Sequence, residues 1–72
     1  MPPFSPIKRS DLIGYLRMLG FTGPEPAGRH LYMQRGGRKV GLPSPHQSDI
    51  SAGLLTTILR QAGVDRATWE RL

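Results

Sequence analysis

Two consecutive glycines, Gly36 and Gly37, constrain the fold of this chain more than any other sequence feature. Apolar and polar residues alternate on both sides of them, and both glycines tolerate the positive φ angles of a two-residue hairpin turn. With the turn there, the apolar side chains that share one face are Leu31, Met33, Val40 and Leu42. A register shift of one residue would mix apolar and polar side chains. Residues 29–42 are therefore predicted as a β-hairpin of fixed register.

The opposite face of this hairpin is polar. Its first strand carries His30, Tyr32 and Gln34, and the residues facing them are Pro43, Gly41 and Lys39. An antiparallel sheet that packs on helices through one face and meets solvent through the other shows this division.

A segment with helical spacing precedes the hairpin. Ser10 is a candidate N-cap, Asp11 suits the positive end of a helix, and Gly20 supplies a left-handed stop. The sequence predicts a helix over 11–19, with an apolar stripe of Leu12, Ile13, Leu16 and Leu19.

A second helix follows the hairpin. It is predicted to begin at Ser48 or Ser51, either of which can cap it, and to end at Gly63. Its apolar stripe comprises Leu54, Leu55, Ile58, Leu59 and Ala62. Asp65 is a candidate cap for a last short turn over 66–71, from which Trp69 folds back onto the core.

These elements predict one α+β domain with two helices on one face of a small antiparallel sheet. Residues 22–28 contain two prolines and two glycines, which favour a loop, or at best a short edge strand that would make three strands instead of two. The proline-rich residues 1–7 are predicted as a flexible lead-in, and 8–72 as a single domain. At 72 residues and without cysteine, the chain has only apolar packing to stabilise it.

Charge favours a polyanionic partner. Ten Lys and Arg residues against five acidic ones give a formal net charge of +5, and no acidic residue lies between 26 and 48. Binding of such cations to phosphates is favoured because it releases counterions. A solvated surface rich in arginine would give the same net charge without binding a polyanion. No apolar run has the length of a membrane-spanning helix or a signal peptide, so we expect a cytoplasmic protein without membrane contact.

His30 is the main candidate for a catalytic residue. Histidine both accepts and donates protons near neutral pH, Arg29 beside it can hold a phosphate, and Gly28 permits close backbone approach. The alternative is a surface histidine without a role. His46 precedes a helix N-terminus and either assists His30 or holds its loop.

Other residues are candidates for RNA contact. Tyr32 shares the face of His30 and can stack on a base, or it is a partly buried strand tyrosine. Arg35, Arg38 and Lys39 are candidate phosphate contacts, or only the charged tip of the hairpin. Two histidines without cysteine or paired carboxylates make a poor metal site, so neither a metal nor a cofactor is expected.

Four segments of the chain carry motifs in a characteristic order. Lys8-Arg9-Ser10-Asp11-Leu12-Ile13 with the following Leu19-Gly20-Phe21 looks like the opening of HicA toxins, and Gly28-Arg29-His30 resembles the Gly-x-His motif of that family. Leu42-Pro43-Ser44-Pro45-His46 is similar to their Pro-x-His segment, and residues 53–63 resemble their closing helix. The four motifs cover about residues 8–64 in the family's order.

The resemblance implies a double-stranded-RNA-binding-domain-like fold, a helix, three strands and a helix. It also implies a metal-independent endoribonuclease that cleaves mRNA without the ribosome, with one essential histidine at His30, neutralised by a HicB-type antitoxin. The chain departs from the family at 22–27, where members often have an alternating strand segment. The alternatives are a non-catalytic RNA-binding module of the same fold and a purely structural or protein-interaction domain.

Overall fold

The computed structural model describes residues 4–43 and 49–72. In chain order its elements are β1 (Ile7–Lys8), α1 (Arg9–Met18), β2 (Thr22–Ala27), β3 (His30–Arg35), β4 (Arg38–Leu42), β5 (Asp49–Ile50), α2 (Ala52–Ala62) and α3 (Arg66–Glu70). Strands β2, β3 and β4 form an antiparallel sheet in that order, and β1 pairs with β5 in a separate two-stranded ladder. The predicted α+β class is confirmed, with three strands in the main sheet.

The predicted register of the β3–β4 hairpin is confirmed. Leu31 pairs with Leu42, Met33 with Val40, and Arg35 with Arg38 across the turn. Of the two turn glycines, Gly36 has the positive φ, at 57°. Gly37 does not have a positive φ. A positive φ at the first turn residue alone matches a type II′ turn.

Residues 22–27 form an edge strand of full length. Strand β2 pairs with β3 from Thr22 to Ala27, and its register shifts at a bulge between Thr22 and Glu25. Prolines occur in such a strand because one of its edges needs no ladder partner. Gly28, with a φ of 63°, begins the two-residue turn that leads into β3. The loop alternative for this segment is wrong.

Helix α1 begins earlier than predicted. Its first residue is Arg9 and its N-cap is Lys8, which makes no side-chain capping bond, so the prediction of Ser10 as N-cap is wrong. The reason is the pairing of Lys8 with Asp49 in the β1–β5 ladder, which brings the chain directly into the helix. The predicted left-handed stop is confirmed, since Gly20 has a φ of 96°.

The ends of α2 and α3 follow the sequence prediction. Ser51 caps α2 by accepting a 3.1 Å hydrogen bond from the Leu54 N–H, and Gly63 ends the helix with a φ of 71°. Asp65 caps α3 and accepts a 2.7 Å bond from the Thr68 N–H. Side-chain and backbone hydrogen bonds from Thr68 lower the pKa of Asp65 below its ordinary value.

The core lies between the helices and one face of the sheet. The sheet contributes Met33, Val40 and Leu42, and the helices contribute both apolar stripes. Trp69 is fully buried, as predicted, and meets the Tyr15 ring edge-on at a centroid distance of 5.3 Å. Small domains depend on such large buried aromatic side chains.

The described part of the N-terminal segment contacts the domain. Phe4 packs against the core with the Arg66 guanidinium over its ring at 5.1 Å, and Ile7 pairs with Ile50. The division into 1–7 and 8–72 stays a prediction. Among the described residues, no helix has both the length and the apolarity to cross a membrane.

Candidate functional site

The sheet face that points away from the core carries the candidate residues. Residues that pair directly across antiparallel strands share a face, so the alternation on β3 places the neighbouring strands as well. We call this face the open face. Its members are Thr22, Glu25 and Ala27 of β2, His30, Tyr32 and Gln34 of β3, and Lys39 and Gly41 of β4.

His30 lies at the end of the open face, where β3 begins. It follows the Gly28–Arg29 turn directly and pairs with Ala27, whose methyl group leaves room around the imidazole. The side chain of His30 is exposed and forms no hydrogen bond with another described residue. An exposed imidazole at a strand end is accessible to a large substrate such as RNA.

Gly28 and Arg29 form the turn beside His30. A Cβ at Gly28 would meet nothing within 4 Å, so this glycine serves the positive φ of the turn and not a close approach to other protein atoms. Arg29 is exposed and adjacent in sequence to the histidine. The turn therefore presents a guanidinium and an imidazole together at one end of the sheet.

Tyr32 and Lys39 contact each other on the open face. Tyr32 is half-buried and lies opposite Gly41, which has no side chain to cover the ring. The Lys39 Nζ lies 4.9 Å from the ring centroid, within the range of a cation–π contact. The pair combines an aromatic surface with a cation, the two components of many single-stranded nucleic-acid sites.

Arg35 lies on the core side of the sheet, away from His30. Its Nη1 donates a 2.8 Å hydrogen bond to the Leu19 carbonyl, and its guanidinium lies 4.9 Å from the centroid of the Phe21 ring. Arginine near a helix C-terminus satisfies carbonyls that have no partner inside the helix.

Arg38 acts in the same way on α2. Its Nη1 lies 3.4 Å from the Gln61 carbonyl, and its guanidinium packs where a Cβ on Gly63 would stand. The structure thus groups Arg35 and Arg38 with the helix ends and not with His30, and their assignment to RNA stays a prediction. The alternation already indicated this face, because Arg35 is in step with Met33 on β3 and Arg38 is in step with Val40 on β4.

His46 lies in residues 44–48, outside the described residues, so its predicted assisting role stays a prediction. The nearest described residue before it, Pro43, accepts a 3.3 Å hydrogen bond from Arg9 Nε. This bond attaches the start of α1 to the end of β4, beyond the Leu42–Leu31 pair.

Glu25 is an open-face residue that the sequence analysis did not place. It pairs directly with Tyr32 across β2 and β3, so its carboxylate stands on the same face as His30. Its pairing follows from the Gly28–Arg29 turn, since Ala27, Pro26 and Glu25 pair in unbroken register with His30, Leu31 and Tyr32, and the bulge shifts only the pairing of Thr22. The residue was missed because the prolines and glycines of 22–28 favour a loop.

A shallow groove of about 250 Å³ lies on the other side of the domain. Its lining is Ser10, Asp11, Gly14, Tyr15 and Met18 of α1. None of the predicted site residues takes part in it. Among the described residues, no group of three or more histidine, cysteine or acidic side chains is placed to hold a metal ion.

Comparison with known proteins identifies the family to which this chain belongs. The model of the HicA toxin of bacterial toxin–antitoxin systems matches residues 9–64. The match covers well over half of the chain, and the protein belongs to the HicA toxin family. It is accordingly the toxin of a toxin–antitoxin pair and has a cognate antitoxin as partner. A search of curated proteins finds no match.

Proposed function

We propose that this toxin is a metal-independent endoribonuclease that cleaves mRNA, with His30 as the general base. The observation that supports this proposal is the placement of His30, exposed at the strand end beside Arg29, on a sheet face that also carries Tyr32 and Lys39. A base, a phosphate-binding cation and an aromatic surface on one face are the parts that RNA cleavage needs.

In the proposed reaction, the 2′-hydroxyl group of a ribose attacks the phosphodiester on the neighbouring 3′-oxygen. His30 takes the proton from a 2′-hydroxyl, the 2′-oxygen forms a bond to phosphorus, and the bond from phosphorus to the 5′-oxygen breaks. The leaving 5′-oxygen takes a proton from His46 or from water. A positioned base accelerates such a step by about 10²–10⁴-fold.

Arg29 and Lys39 supply the electrostatic part of this mechanism. Negative charge grows on the phosphate oxygens as the 2′-oxygen attacks, and a positioned guanidinium or ammonium group lowers the energy of that state. Arg29 is next to His30 in the turn, and Lys39 lies farther along the open face. We assign Arg29 to the scissile phosphate and Lys39, with Tyr32, to a neighbouring nucleotide.

The chemistry of the products tests this mechanism. Purified protein is incubated in EDTA with a labelled single-stranded RNA, and with the same RNA carrying one 2′-deoxynucleotide at the mapped cleavage position. We expect a 2′,3′-cyclic phosphate at the new end and no cleavage of the deoxy-substituted RNA at that position. Cleavage of both RNAs at the same position would contradict attack by the 2′-hydroxyl.

A non-catalytic RNA-binding module is the second candidate. The net charge of +5 and the Tyr32–Lys39 contact favour RNA binding without requiring chemistry. This alternative predicts RNA affinity that falls steeply with salt, intact RNA after long incubation, and no effect of replacing His30.

The antitoxin is proposed to be of the HicB type and to cover the open face. A partner that brings acidic groups to Arg29 and Lys39 and encloses His30 would exclude RNA by occupancy and by charge. Protection of amide hydrogens on β2 and β3 in the complex would support this placement. Protection confined to α1 and α2 would contradict it.

We place the action of the toxin in the cytoplasm, where mRNA is found.

A further inference from the structure

The open face of this cationic protein carries one carboxylate in its central row. Glu25, Tyr32 and Gly41 pair in succession across β2, β3 and β4, so the carboxylate, the ring and a position without a side chain lie side by side. Side chains of directly opposed residues have Cβ atoms about 4.5–5.5 Å apart. Glu25 is therefore the neighbour of the aromatic ring on the side away from β4.

The backbone around Glu25 is unusually restricted for an edge strand. Pro24 and Pro26 flank it, and a residue before proline is held in an extended conformation. The register is unbroken from the two-residue turn after Ala27 to Glu25, and the bulge of β2 begins only beyond Glu25, towards Thr22. Gly23 within the bulge has a φ of 111°, and a Cβ there would stand 3.0 Å from the Tyr32 carbonyl oxygen. The position of Glu25 relative to Tyr32 is thus fixed by the backbone.

The charge of Glu25 is unfavourable for phosphate binding on this face. Glu25 is exposed, and no residue in the described part of the chain forms an ion pair with it. A carboxylate without a neutralising cation repels the RNA backbone. The same group is a strong acceptor for the N–H donors of a base, because an ionised carboxylate accepts through both oxygens.

From this juxtaposition we propose that Glu25 and Tyr32 form a recognition site for a guanine base in single-stranded RNA. The proposal rests on the proposed RNA binding by the open face and adds a base preference to it. The base stacks on the Tyr32 ring, on the side that Lys39 does not cover, and Glu25 accepts hydrogen bonds from its Watson–Crick edge.

Guanine is the base whose edge fits a carboxylate. Its N1–H and N2–H groups are adjacent donors that two carboxylate oxygens can accept together. Adenine and cytosine each present one donor beside an acceptor, and uracil presents one donor between two acceptors. A carboxylate placed against those edges would face a lone pair, which is repulsive. The arrangement therefore selects guanine over the other three bases.

Binding of short RNAs tests the proposal without depending on cleavage. The ligands are 2′-O-methyl pentanucleotides with a central guanine, adenine, cytosine or uracil in a uridine context, titrated into the full chain at low salt. We expect the guanine ligand to bind about tenfold more tightly, near the lower end of what one bidentate base contact provides. Glu25→Gln should remove this preference, because its amide N–H₂ repels one of the two donors.

Asp11→Asn is the matched control. It removes the same charge from an exposed position on α1, away from the open face, and should retain the guanine preference. Equal affinity of the wild type for all four ligands, or a preference that survives in Glu25→Gln, would overturn the proposal while leaving RNA binding intact. Failure of all four ligands to bind would overturn both the base site and RNA recognition by the open face. Cleavage of RNA is then judged separately, from the His30 variant.

Discussion

The Nη1 of Arg35 donates a 2.8 Å hydrogen bond to the carbonyl oxygen of Leu19, across 16 positions of the chain. This bond attaches the tip of the β3–β4 hairpin to the end of α1, while Arg38 reaches the end of α2 from the same tip. The arginines at the tip therefore join the sheet to both helices. The basic residues of the hairpin thus divide between two faces with different surroundings.

Arg35→Met should lower the free energy of unfolding by about 1 kcal/mol, because the helix-end carbonyl loses its donor. Arg29→Met is the matched change on the exposed turn, and it should alter stability by less than about 0.5 kcal/mol. Urea denaturation of both variants measures the difference. Equal stability of the two variants would contradict a joining role for Arg35.

Arg29 should matter for RNA binding, although it contributes little to stability. Arg29→Met is expected to weaken binding to single-stranded RNA and to reduce the slope of log affinity against log salt by about one. Fluorescence titration at several salt concentrations gives both quantities. A salt slope unchanged from the wild type would exclude Arg29 as a phosphate contact.

The two faces of the hairpin could be predicted from sequence because one strong turn and strict alternation determine the register. The same alternation places Arg35 and Arg38 on the core face, although their charge made them candidates for phosphate contact. Glu25 could not be placed, since its face depends on a strand over 22–27 that the prolines and glycines of this segment do not favour. Ser10 has good capping chemistry, yet the pairing of Lys8 with Asp49 starts the helix before it. Long-range pairing decided each of the features that local sequence missed.

Gly63→Ala should destabilise the protein by about 1–2 kcal/mol. Its φ of 71° is unfavourable for a residue with a Cβ, and the new methyl group would displace the Arg38 guanidinium. Gly14→Ala is the control, since Gly14 lies within α1 where a Cβ meets nothing within 4 Å. That change should stabilise by about 0.5–1 kcal/mol, because alanine favours the helix. Thermal unfolding that moved both variants in the same direction would contradict these assignments.

The cap of α3 should make stability depend on pH. Hydrogen bonds from Thr68 lower the pKa of Asp65 in the folded protein, so the ionised cap stabilises the fold above the pKa of the unfolded chain. This contribution is lost as the pH falls through the lowered pKa of the folded state. Asp65→Asn should therefore be less stable than the wild type at neutral pH and approach it in acid.

Ser51→Ala provides a cap variant without a titrating group. Removing the acceptor of the Leu54 N–H should cost about 1 kcal/mol at every pH. Denaturation curves between acidic and neutral pH distinguish the two caps. A constant difference between wild type and Asp65→Asn across that range would contradict the ionised cap.

Tyr32→Ala should weaken binding of single-stranded RNA by about tenfold, near the loss of one base–aromatic stack. Tyr32→Phe keeps the ring and should retain most of the affinity, since stacking does not need the hydroxyl group. Titrations of the two variants against the wild type give the comparison. An equal loss in both would assign the effect to the hydroxyl group and exclude stacking.

The role of His30 in RNA cleavage is tested most directly by comparing wild type and His30→Ala on a labelled single-stranded RNA in EDTA. Thr57→Ala, an exposed change on α2, controls for purification and folding. We expect cleavage by the wild type and the control, a loss of about 10²-fold or more in His30→Ala, and equal RNA binding by all three. Cleavage by His30→Ala at the wild-type rate would contradict its assignment as the general base.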